Sequence, residues 1–203
     1  MIDKVIHKLA VGQDVSRDNL IAILSTEEPE NLSCLFTAGD QKRKEMVGDA
    51  VLLRGIIEIS NICSRNCRYC GLRKDNRHVV RYRMPEEAII SAAKKIAAAR
   101  ISTVVLQSGE DQMPVEHICT LIRRIKQEAG LIVTLSLGDR DYEAFRCFRE
   151  AGADRYLLKH ETASKDLFEA LRPGSSFENR RLCLEWLKRS EEHTSELQSR
   201  QVI

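Results

Sequence analysis

The sequence carries almost no net charge. Its 32 Lys and Arg stand against 30 Asp and Glu, a formal +2 over 203 residues. That balance gives no argument for a nucleic-acid partner and leaves no acidic tail. Long apolar runs are missing too. None approaches the roughly 18 residues that mark a transmembrane helix, so no membrane span is expected. The opening, MIDKVIHKLAVGQD, lacks the charged-then-apolar order of a secretion signal. The expected location is therefore cytoplasmic. An even set of cysteines is also lacking. There are seven: Cys34, Cys63, Cys67, Cys70, Cys119, Cys147 and Cys183. An odd count without a signal argues against a disulfide scaffold and for a reduced compartment. What is present is ordinary soluble composition, 43% hydrophobic and 31% charged. It holds enough apolar mass for one sizeable core.

Residues 1–50 read as a helical lead-in. Ser16 caps a helix through SRDNLIAILST. A second stretch places Leu32, Leu35, Phe36 and Met46 at roughly helical spacing. From residue 54 strands and helices alternate. The strands are expected at 54–60, 102–109, 131–138 and 154–162. Pro85 and Pro114 open helices, with Glu86 and Glu87 in the first turn of one and Gly130 closing the other. Helices follow over 141–152, after Ser164, and over 177–188. Strand-then-helix repetition implies parallel pairing. The expected class is α/β, a partial (β/α) TIM-type barrel of about four βα units preceded by N-terminal helices. A doubly wound sheet is the runner-up, weakened because no phosphate-binding Gly-rich loop follows the first strand. A closed barrel usually needs about 250 residues, so residues 51–188 read as the first half of one. Arg189 to Ser199 spell RSEEHTSELQS, the in-frame reading of a common sequencing adapter. Residues 189–203 are therefore expected to be a non-native, disordered tail.

Three cysteines crowd into eight residues, Cys63-Ser-Arg-Asn-Cys67-Arg-Tyr-Cys70, just past the first strand. Catalytic groups of barrels sit on such loops. Three thiolates on one tight loop can hold three irons of a 4Fe–4S cluster and leave the fourth open. A zinc site is the alternative. It wants four closed ligands, and His78 is the only nearby fourth. The other four cysteines sit among apolar residues and read as packing.

The C-x3-C-x2-C spacing after a first barrel strand resembles the radical S-adenosylmethionine (SAM) superfamily. That resemblance implies a 4Fe–4S cluster on Cys63, Cys67 and Cys70, with SAM chelating the open iron. One electron then cleaves SAM to methionine and a 5′-deoxyadenosyl radical. Further landmarks are LQSGED (106–111), VTLSLG (133–138), ADRYLLKHET (153–162) and LRPGSSFENR (171–180). Together they resemble the maturases of FeFe-hydrogenase more than methylornithine synthase or biotin synthase, the nearest alternatives within the superfamily. The resemblance implies SAM contacts at Gly109 and Glu110, in a GGE-type motif with Asp111, and at Glu161 and Arg180; Tyr69 offers an aromatic face beside the last cysteine, and Ser136 an inward hydroxyl that suits SAM or belongs to a polar barrel layer. A structural Glu161–Arg180 ion pair is a further possibility. Thr134 shares a strand face with Ser136. By strand alternation Lys159 shares a face with Glu161. Thr134 and Lys159 are the substrate candidates. The cysteine loop also carries Arg65, Arg68, Arg73, Lys74, Arg77, Arg81 and Arg83. They raise the cluster's potential, receive an acidic ferredoxin- or flavodoxin-type donor, or form a solvated face. The implied partners are a small-molecule or organometallic substrate, such a donor, and other hydrogenase maturases.

Overall fold

A computed structural model describes residues 2–191. The chain divides into two compact units between Leu52 and Leu53. The first is three helices, α1 (Ile2–Ala10), α2 (Arg17–Leu24) and α3 (Pro29–Val47). Ser16 does cap α2, its side chain accepting from the Asn19 N–H. The small core of this unit is Val5, Ile6 and Ile23, flanked by Cys34 and Leu35.

The second unit alternates strands and helices. It runs β1 (Gly55–Ser60), α4 (Glu86–Ala98), β2 (Thr103–Ser108), α5 (Val115–Ala129), β3 (Ile132–Ser136), α6 (Tyr142–Glu150), β4 (Arg155–Tyr156), α7 (Lys165–Leu171) and α8 (Phe177–Glu191). The sheet is parallel throughout, in the order β1-β2-β3-β4. Sequential order is what a barrel requires. A doubly wound sheet would reverse direction at a switch point. The expected adapter-like tail lies outside the described residues from 192 onward, and α8 runs unbroken to Glu191.

Alternation explains the core. Ile57, Ile59, Val104, Leu106, Val133, Leu135 and Leu137 are 4% exposed or less and pack in one cluster with the helices. Each such side chain contributes about 1.5–3 kcal/mol when fully buried. Ile56 and Glu58 point to the opposite face and are exposed. Register aligns Ile56, Val105, Thr134 and Arg155 in one row of that face, and Glu58, Gln107 and Ser136 in the next. Cys119 and Cys183 lie in the core, consistent with packing residues.

One expected element is corrected. The fourth strand was expected over 154–162, but only Arg155 and Tyr156 pair with β3. Pairing continues for one bond, Leu157 N–H to the Leu135 carbonyl. β3 ends at Ser136, so no ladder remains beyond it. The face-sharing of Lys159 and Glu161, which rested on strand alternation, falls with it. Glu161 instead sits at φ 71°, uncommon for a side-chain-bearing residue.

Candidate active site at the carboxyl ends of the strands

The loop after β1 is sewn into place by its own polar groups. Arg81 donates to four backbone carbonyls, those of Asn61, Leu72, Arg73 and Asn76. Ser60 and Arg83 form an antiparallel bridge that closes the loop at its base. Inside it, the Cys70 N–H donates to the Cys67 carbonyl (3.1 Å), and the Arg65 N–H points at Cys63 Sγ (3.4 Å). Cys63, Cys67 and Cys70 are all free thiols. Among the described residues, no three His, Cys, Asp or Glu side chains gather closely enough to hold a single metal ion. A closed zinc site needs four such donors on one ion. A cubane asks for one thiolate at each of three separate iron corners, with N–H groups near the sulfurs. Three free thiols within eight residues of one loop suit the second requirement by the chemistry of the donor set. Burial pushes the Cys67 thiol above its ordinary value, and the Arg172 charge opposes that shift.

The end of β2 lies directly against this loop. A Cβ on Gly109 would overlap the Ile62 carbonyl oxygen and stand 2.8 Å from Cys63 Cβ. Only glycine lets the strand end approach so closely. The Glu110 carbonyl then accepts from both the Ser64 N–H (3.1 Å) and its hydroxyl (3.0 Å). The backbone here is thus already engaged with the cysteine loop.

Behind the loop lies a buried charge network. Glu110, 8% exposed, accepts from Arg65, Arg172 (2.7 Å) and Arg180 (3.3 Å). Arg180 is 2% exposed, donates to the Lys159 carbonyl (3.0 Å) and lies 2.9 Å from Asp139. Arg172 is 5% exposed and donates to Glu161 and to the Tyr69 hydroxyl, both at 3.2 Å. Gly138, at φ 79°, leaves the space that the Glu110 side chain occupies. Burial drives the Tyr69 hydroxyl up to about 12, against the pull of Arg172. Burial also raises Asp139, and Arg180 counters it. The Nε of Arg180 lies 2.9 Å from Asp139 Oδ1, whereas the Nε of Arg172 is buried without a hydrogen-bond partner. Buried guanidinium donors are normally satisfied.

The expected residues are thus unevenly placed. Tyr69, Gly109, Glu110, Glu161 and Arg180 meet around the network. Thr134 and Ser136 share one sheet face, as expected. Lys159 is exposed and brings only its carbonyl. The anticipated Glu161–Arg180 pair is corrected: Glu161 pairs with Arg172, and Arg180 with Glu110 and Asp139. Arg172 and Asp139 carry no signal in the sequence that marks them for this site, and Arg65, one of the loop cations, joins it as a partner of Glu110. Of the basic loop, Arg65, Arg81 and Arg83 are spent on internal partners, whereas Arg68, Arg73, Lys74 and Arg77 are exposed.

A half-open β/α barrel with thiols at the carboxyl end of its first strand defines a class. Residues 57–194 match the family model of the Radical SAM superfamily, and the chain belongs to that superfamily. Its members are enzymes that use a 4Fe–4S cluster and SAM. The chain is 46% identical over 187 residues to the [FeFe] hydrogenase maturase subunit HydE of Thermotoga maritima, covering 91% of this chain and 53% of that protein. It is 32% identical over 182 residues to the 3-methylornithine synthase of Methanosarcina acetivorans, covering 88% of this chain and 52% of that protein. The crystal structure of methylornithine synthase (PylB) superposes with a TM-score of 0.81 at 29% identity, over 93% of this chain and 56% of that one. The chain therefore spans about half the length of the relatives it matches. Among the described residues no helix is long and apolar enough to cross a membrane.

Proposed function

We propose that the chain supplies the first half of a radical SAM barrel that acts in FeFe-hydrogenase maturation. In this reading Cys63, Cys67 and Cys70 hold the 4Fe–4S cluster. Tyr69, Gly109, Glu110, Ser136, Glu161 and Arg180 form the SAM side of the site, with Arg172 bracing Tyr69, Glu110 and Glu161 from behind. Thr134 and Lys159 remain the candidates for a small organic or organometallic substrate. The loaded site supplies one-electron cleavage of a sulfonium C–S bond. The protein's own residues fix the thiols, orient the SAM zwitterion and keep its charges paired away from water.

The observation that carries the reading is the seating of the cysteine loop on Gly109, which joins the thiols to the buried Arg/Glu network. Identity to HydE, 46% against 32% for methylornithine synthase, supports the hydrogenase branch. Arg68, Arg73, Lys74 and Arg77 face solvent beside the thiols and suit an acidic ferredoxin or flavodoxin as donor. A cytoplasmic setting, alongside other maturases, completes the proposal. Anaerobic reconstitution of the chain with iron and sulfide tests it. Uptake of about four irons per chain with broad visible absorption, lost in Cys67→Ser, is the expected result. Colourless protein that binds one zinc instead would overturn it.

A further inference from the structure

Three loops that carry proposed ligand contacts converge on one guanidinium. Arg172 is the first residue beyond α7. Its Nη1 reaches Tyr69 on the loop after β1 and Glu161 on the loop after β4, both at 3.2 Å. Its Nη2 reaches Glu110, at the end of β2, at 2.7 Å. The ring of Phe168 lies beneath it, 5.4 Å from centroid to guanidinium carbon. One residue earlier, the Leu171 carbonyl accepts the Arg68 N–H at 2.8 Å, so backbone and side chain grip the cysteine loop together. Only a rigid planar fork serves three oxygens in these directions. A lysine brings the charge without the fork.

We propose that Arg172 is a positioning residue that ties the cysteine loop to the acidic ends of β2 and β4. It holds the cluster-bearing loop and the SAM side in one geometry. This inference rests on the cluster and SAM reading above. Its two properties act separately. The fork sets the relative placement of Tyr69, Glu110 and Glu161, hence SAM affinity. The charge is held against the cysteine loop by the Tyr69 contact and the Arg68–Leu171 bond, and a fixed cation there stabilises the reduced, more negative cluster.

The test uses the whole chain, reconstituted anaerobically, with Arg172→Lys, Arg172→Gln and Tyr69→Phe. SAM affinity is read from the change in the reduced cluster's EPR signal, and midpoint potential from a redox titration. Both Arg172 variants should bind SAM about 10- to 100-fold more weakly, the range typical of residues that orient ligands from behind. The potential should fall in Arg172→Gln and stay in place in Arg172→Lys. Tyr69→Phe, the mildest change, should weaken SAM binding by less than about tenfold with the potential unmoved. Wild-type affinity and potential in all variants would overturn the proposal. So would a potential that falls equally in the lysine and glutamine variants. A reading that fails altogether shows itself earlier, as an unsubstituted chain that takes up no iron.

Discussion

β1, β2 and β3 present two different interiors. Toward the helices they bury hydrocarbon, with Ile59, Val104, Leu106, Val133 and Leu135 all fully enclosed. At their carboxyl ends the loops bury charge, with Glu110, Arg172 and Arg180 each at 8% exposure or less. The first interior rests on area and shape, which many side chains can supply. The second rests on pairing. Glu110 answers three guanidinium groups, and Asp139 and Glu161 share two of them, so the buried cations are tolerable only as members of this network. The difference separates what builds the barrel from what builds the site.

The comparison breaks or holds first on conservative substitutions. Glu110→Gln keeps the shape and removes the charge. It should cost about 3–5 kcal/mol, because buried cations lose their counter-charge. Leu106→Met, an equally conservative change on the hydrocarbon side, should cost less than about 1.5 kcal/mol. Urea unfolding of the two variants measures both. Equal losses would show that the charged end carries no special pairing.

The same contrast explains what could be read from the sequence. The hydrocarbon side announces itself in near-continuous apolar runs, so β1, β2 and β3 were expected within a residue or two of where they lie. β4 is shorter than its sequence suggests: Leu157 and Leu158 look like strand, but strand length is set by the partner and β3 stops at Ser136. The three cysteines were legible from spacing alone. The network was not. Arg65 lies 45 residues from Glu110, and Arg172 lies 62. Partners at that separation leave no periodic signal, and a basic residue reads as surface until the fold turns it inward.

A second, smaller effect sharpens the boundary between scaffold and site. Gly109→Ala forces a methyl group into the Ile62 carbonyl and against Cys63. The loop must shift, at a cost of about 1–3 kcal/mol for an overpacked position. Secondary structure should survive by circular dichroism while iron uptake falls sharply. Gly71→Ala lies in the same loop with open space around it and should leave iron uptake as it is. If both variants take up iron alike, the strand end does not seat the thiols.

The smallest effect is a pH dependence with two opposing signs inside the charged end. Burial pushes Asp111 upward, but hydrogen bonds from Arg83 and Ser60 outweigh it and hold the carboxyl below its ordinary value. The folded state therefore takes up that proton at lower pH than the unfolded chain. Its contribution to stability is complete above the unfolded value, near pH ~4, and is lost as the pH falls through the depressed folded value. Asp139 runs the other way. Burial raises it despite Arg180, so its ionised form burdens the native state at neutral pH. That burden lifts as the pH falls through the raised folded value, on the neutral side of the ordinary range. Asp111→Asn should flatten the loss of stability in acid, whereas Asp139→Asn should remove the gain that precedes it. Urea midpoints of the metal-free chain across a pH series measure both slopes. Parallel profiles for wild type and both variants would mean that neither carboxyl titrates differently on folding, and that the charged end is more open to water than its burial implies.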